Sequence, residues 1–278
     1  MTRSRLLVAA VLLVAAVGGT VPGAQGAYRA RITNSTDTAA TAPYFTCASA
    51  LAADKASALF QLPLTEATTT ATASDVSGSG NTGTYQGARQ VLASPGACSR
   101  DGGTATVLNG SSSYISTGPK VTNPTTFSVE VWFRTSVASG RLIGFGSAQT
   151  GASGNYDRHL YLSTGGQLVF GVYNTAIRTI STPSSVADGA WHHVVATFAP
   201  SGTAVGMTLY LDGKRVAADA TVTTAENTTG WWRIGYDSIT NWPGSGTNPY
   251  FTGAVRSASV YTVALTAKQV ADHWAAGQ

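Results

Sequence analysis

Glu66, Glu130 and Glu226 are the only glutamates in this chain, and they are the first residues to weigh for chemistry. Glycoside hydrolysis needs two carboxylates across one bond, roughly 5–5.5 Å apart for retention and about 6.5–9.5 Å for inversion. A strand supplies such a pair when acids alternate along one face. None of the three glutamates has an acid two, four or five residues away. Glu130 lies in Phe127-Ser-Val-Glu-Val-Trp-Phe-Arg134, where its same-face neighbours are Ser128, Trp132 and Arg134. A glycoside hydrolase or lyase would therefore have to draw its carboxylates from distant strands, and the chain is read as non-catalytic. Gly-x-Ser-x-Gly is absent, which removes the serine nucleophile elbow. His192 and His193 are adjacent, and strand neighbours point to opposite faces, so they cannot share a substrate or an ion. Both are read as packing residues.

Aromatic residues give the best binding lead. Trp231, Trp232, Tyr236, Trp242, Tyr250 and Phe251 fall in one short window, much of it a loop from Ser238 to Pro249. Trp and Tyr pair a flat apolar face with a hydrogen-bonding tip, which suits the C–H faces of sugar rings. Asn241 can hold hydroxyls beside them. Trp242, between Asn241 and Pro243 in the polar loop, is expected to be exposed and to stack on a ligand, the alternative being a core residue with the loop folded back on the sandwich. Trp231, Trp232, Tyr236 and Phe251 have a second reading as core residues on alternate strand positions. Trp191 is expected to be buried core.

The rest of the sequence limits the partners. Arg3 and Arg5, the apolar run Leu6–Val17 and the small residues Ala24-Gln-Gly26 read as an export signal over 1–26. The run is too short to span a bilayer, which takes roughly 20 residues. A flexible leader, 27–43, and one domain, 44–278, follow. Cleavage removes Arg3 and Arg5 from the 17 basic residues, leaving 15 against 13 acidic ones, a net charge of +2. Nucleic-acid binding needs a clustered basic footprint, and there is none. The expectation is a secreted, extracellular monomer without a membrane anchor. Cys47 and Cys98 are the two cysteines, and in an exported chain they read as a disulfide, the alternative being two free buried thiols.

Short strands must position these residues. Val129, Val131 and Phe133 share one strand face. His159–Leu162 and Leu168–Tyr173 flank Ser163-Thr-Gly-Gly166, a hairpin, and Asp212-Gly213 suits a tight turn between Met207–Leu211 and Lys214–Val216. Ala58–Leu64 reads as the first strand, after an Ala-rich stretch from Leu51 with a turn or two of helix. The glycine-rich Asp75–Tyr85 run lacks the lysine and the helix of a phosphate loop. Thr266 and Gln269 form a capping box for one C-terminal helix, with Val270 and Trp274 on its packed face. Many strands and almost no helix predict an all-β, two-sheet antiparallel sandwich with a short C-terminal helix.

These pieces, in this order, resemble the laminin-G-like (LamG), concanavalin-A-like jelly-roll family. Trp191-His-His-Val194, Leu209-Tyr-Leu-Asp-Gly-Lys214, the Asp75–Gly83 glycine run and Asn109-Gly-x-x-x-Tyr-Ile115 carry the resemblance. It covers roughly 44–277. Asn109 stands where the family has Asp, and Ala254-Val-Arg-Ser257 replaces an acidic Ile-Asp-Glu-Val segment. The resemblance implies a recognition scaffold that only sometimes carries an enzyme. It also implies calcium as the one cofactor to consider, with Asp157, Asp237 and Asn241 as ligand candidates, although no contiguous ligand loop is present. The predicted function is a recognition module for a neutral polysaccharide or cell-wall glycan. The alternative is a surface or matrix interaction protein whose leader adds a strand to a partner.

Overall fold

The computed structural model describes residues 42–278 apart from Ser94. The export segment 1–26, and the leader up to residue 41, lie outside the described residues. The chain folds as two antiparallel sheets packed face to face. In spatial order, the first holds β15 (Lys214–Asp219), β14 (Gly206–Leu211), β13 (Trp191–Ala199), β8 (Phe127–Arg134), β17 (Thr252–Tyr261), β5 (Thr104–Asn109) and β4 (Gln90–Ala93). β1 (Ala58–Leu62) also pairs with β17, beyond the end of β5. The second holds β12 (Ala176–Ser185), β11 (Gln167–Asn174), β10 (Tyr156–Leu162), β9 (Arg141–Gly146), β16 (Thr229–Ile234), β6 (Tyr114–Thr117), β3 (Gly83–Gln86) and β2 (Thr72–Ala73), with β7 (Val121–Thr122) also on β16.

Alternation decides what lies between the sheets. Val129, Val131 and Phe133 point into the core, where they meet residues such as Leu160, Leu162 and Phe170 from the facing sheet. Trp232 is there too, 5.2 Å from both Phe127 and Phe145 between ring centres. Of its two readings, core is the one realised. The hairpin turns form as their residues dictate: Asp212 and Gly213 both take positive φ, 50° and 74°.

Except at Arg134, the outer face of β8 is covered. Ser128, Glu130 and Trp132 are all buried there, because two helices cover them. α1 (Cys47–Asp54) starts four residues before the Ala-rich stretch that predicted it, with Thr46 and Ser49 as its capping box. α2 (Ala267–Ala276) has the predicted Thr266–Gln269 box and ends at Gly277. Val270 is buried, and Trp274 packs over Gly213 of the hairpin turn. Cys47 and Cys98 are bonded, which ties α1 to the segment before β5.

A buried polar chain joins these helices to the sheet. Glu130 accepts from Tyr261 at 2.8 Å and lies 2.7 Å from His193 Nε2 and 3.0 Å from His273 Nδ1. His273 Nε2 reaches Asp54 at the end of α1, 2.9 Å away. Burial alone would lower the pKa of His273, but the charges of Glu130 and Asp54 outweigh it and push it up to about 9. Burial likewise opposes ionisation of Glu130, yet the two imidazoles hold its carboxyl well below the usual range.

The glycine-rich run serves β1. Asp75 accepts from the backbone N–H groups of Gln61, Ser77 and Asn81. Asn81 Nδ2 and the Ser79 hydroxyl both donate to Leu59 O. Asn109 organises the next turn by accepting from the amides of Ser111, Ser112 and Ser113.

Candidate functional site

The outer face of the second sheet carries the most distinctive local structure. β9, β10 and β16 turn Arg141, His159, Tyr161 and Arg233 away from the core, and all four are fully buried. The Ser238–Pro249 loop, folded back across the sheet, contacts Arg141, His159 and Tyr161, while Arg233 lies against Gly151, Ser153 and the rings of Tyr114 and Tyr236. The start of the loop is fixed by Asp237, which pairs with Arg141 at 3.0 Å and with Arg233, and accepts from the Ser153 hydroxyl at 2.7 Å. Burial lowers the Arg141 pKa to about 10, against the opposing pull of Asp237. Tyr161 donates to Pro243 O at 2.6 Å, and Tyr156 donates to Thr240 O at 3.1 Å, so two tyrosines strap the loop down.

Trp242 is therefore only 5% exposed. Its exposure was expected, and the reason for the difference is Gly171. This glycine, mid-strand in β11, leaves a slot that the indole fills; a Cβ there would stand 2.3 Å from Trp242 Cζ3. A glycine inside a strand can mark such a close approach, and that signal was present in the sequence. His159 meets the indole edge-on at 4.4 Å. Burial, and next the charge of Arg141, keep His159 neutral, and neither ring nitrogen has a partner among the described residues. Trp191, expected inside, is half-buried beside the disulfide.

The nominated calcium ligands are differently engaged. Asp157 is enclosed: Arg158 Nη1 donates to it at 2.8 Å and Tyr173 N at 2.6 Å. Asp237 is held by two arginines and Ser153. A cation at either carboxylate would have to displace a guanidinium from a buried pair. Asn241 is exposed with positive φ, apart from both pairs. Among the described residues, only Cys47, Cys98 and Asp101 cluster at ligand spacing, and those sulfurs are already bonded to each other.

The predicted aromatic site is divided. Tyr236 and Tyr250 stack at 3.9 Å on the rim, with Tyr114 tilted against Tyr236 at 5.2 Å. Trp231 stands apart under Lys120. Trp242 and Asn241 instead line an open groove of about 280 Å³ together with Asn155, Tyr156, Tyr173, Ile177, Glu226 and Thr240. Tyr173 is 36% exposed, and Tyr156, Ile177 and Glu226 are half-buried. Glu226 is placed by its backbone, whose N–H donates to Tyr173 O and whose carbonyl accepts from Arg158 Nη2, both at 2.8 Å. Its carboxylate takes a hydrogen bond from Asn155 Nδ2 at 3.1 Å. Tyr156, Tyr173, Asn155 and Glu226 were missed because three separate segments bring them together; no local spacing joins them.

His192 and His193 part as expected. His193 is in the buried Glu130 chain, while His192 lies near the surface between Asp188 and Asp212. Among the described residues, no helix is long and apolar enough to cross a membrane.

Solved structures with the same architecture are distant in sequence. The binding domain of Paraclostridial Mosquitocidal Protein 1 superposes with a TM-score of 0.54 at 16% identity, covering 78% of this chain and 51% of that one. The Botulinum Neurotoxin Type G receptor binding domain gives 0.54 at 13% identity, with the same coverage. Trypanosoma rangeli sialidase, solved with the inhibitor DANA, gives 0.53 at 14% identity, over 78% of this chain and 32% of that one. This chain thus spans about half the length of the two toxin domains. No curated protein matches it. A laminin-G-type model matches residues 109–271, more than half of the sequence, and the chain belongs to the family which that model describes, the Concanavalin A-like lectin/glucanases superfamily.

Proposed function

We propose that this protein is a secreted, non-catalytic glycan-recognition module that binds through the Tyr156–Tyr173–Trp242 groove. One observation carries the reading: an open groove of about 280 Å³ with two accessible tyrosines beside the buried indole of Trp242, and amide and carboxylate groups among its lining residues. Aromatic surface takes the apolar faces of sugar rings, and Asn155, Asn241 and Glu226 offer hydrogen bonds to hydroxyls. The toxin domains of the same architecture are named as binding domains, which agrees with this use of the scaffold.

Catalysis is disfavoured by the same groove. Glu226 is its sole lining carboxylate among the described residues, and its acidic neighbour Asp157 is enclosed and ion-paired. Hydrolysis wants a second carboxyl open to the same bond. A glycan array tests the proposal. Tyr173→Ala should reduce binding by roughly tenfold or more, as loss of an aromatic anchor does, without lowering the melting temperature. Binding that survives Tyr173→Ala and Tyr156→Ala unchanged would move the site elsewhere, to the Tyr236–Tyr250 rim first. Reducing-end release abolished by Glu226→Gln would instead make the protein an enzyme.

A further inference from the structure

Glu226 is the one charged group among the residues lining the groove. Asp157 and Arg158, charged groups close enough to feel it, are paired with each other at 2.8 Å and cancel. One Glu226 oxygen accepts from Asn155, and the other has no partner among the described residues. Glu226 is half-buried as a residue, and its carboxylate stands beside the aromatic groups of the groove. The lining also includes Tyr156, Tyr173 and Trp242, and aromatic faces attract cations as well as sugar C–H groups.

We infer that the groove selects an amine-bearing glycan, with Glu226 receiving the ammonium of an amino sugar. This rests on the glycan reading above and specifies a cationic sugar, in place of the neutral polysaccharide expected from the sequence. Both parts of the groove are used at once: the tyrosines take the ring face and the carboxylate takes the protonated amine. An N-acetylated sugar keeps the ring but loses the charge. An acidic sugar puts two negative charges together.

Calorimetric titration of the purified chain with glucosamine tetramer and with N-acetylglucosamine tetramer, at mildly acidic pH and low salt, tests the inference. The amine tetramer should bind about tenfold tighter, as one partly desolvated ion pair allows. The difference should shrink as salt rises. Glu226→Gln should erase the preference while leaving the acetylated tetramer's affinity unchanged, and Tyr173→Ala should weaken both. Equal binding of the two tetramers would overturn the amine inference and leave the glycan reading intact. A preference that persists in Glu226→Gln would overturn it too, because the charge would lie elsewhere. Lysine competing as well as the amine tetramer would overturn the sugar component. Failure of both tetramers and of the whole array would overturn both readings.

Discussion

Trp242 fills the volume that Gly171 leaves empty on the outer face of β11, and the loop and the strand are fitted to one another at that point. Gly171→Val should therefore act like a change in the loop. It should expel the indole, raise protease cleavage within 238–249 and red-shift tryptophan fluorescence. Trp242→Ala should cost about 2 kcal/mol or more in urea unfolding, towards the range seen for buried aromatics. A Trp242→Ala melting temperature equal to that of the parent would mean the loop adds nothing to stability.

Much of this fold was legible in the residues. Val129, Val131 and Phe133 marked the core face of β8, Asp212-Gly213 marked the turn between β14 and β15, and Thr266 with Gln269 marked α2. Each is a local rule, satisfied within a few residues. The site was less legible because burial there is decided by distant pieces. Trp242 reads as exposed from its own loop, and only Gly171, about seventy residues earlier, says otherwise. Glu130 reads as outward-facing, and it does face outward, but onto helices whose docking place on the sheet no local pattern reports. Asp157 and Asp237 look like free oxygen ligands until Arg141, Arg158 and Arg233 are placed beside them.

The Glu130–His273 pair should make stability pH-dependent on the alkaline side. His273 has its pKa raised from 6.5 to about 9. Its contribution is complete below pH 6.5 and is lost as pH rises through about 9. The shift corresponds to roughly 3 kcal/mol. Urea unfolding at pH 6 and pH 9.5 should differ accordingly, and His273→Gln should flatten the difference. An unchanged slope in that variant would assign the alkaline loss to other groups.

Asp237→Asn should be far more harmful than an ordinary surface change. It strips the counter-charge from Arg141 and Arg233, both fully buried, which typically costs about 3–5 kcal/mol. Calcium or a chelator should leave the parent's melting temperature unchanged, since that carboxylate is already occupied. A calcium-dependent rise that Asp237→Asn abolishes would reverse this account.

Cys47 and Cys98 close a loop 51 residues apart in sequence. Chain entropy assigns such a link about 4 kcal/mol. Reduction should lower the melting temperature and release α1 first, seen as faster amide exchange in 47–54. Two alkylated thiols without reductant would refute the bond.

Asp75, Ser79 and Asn81 have a consequence for self-association. Their side chains occupy backbone groups of β1 on the side away from β17, groups that another extended chain would otherwise use. An exposed strand edge is a template for joining copies into a shared sheet. Here one polar loop from the same molecule takes up those positions, so the start of the sandwich is closed to recruits, and Asp75→Ala should first appear as oligomers rather than as lost ligand.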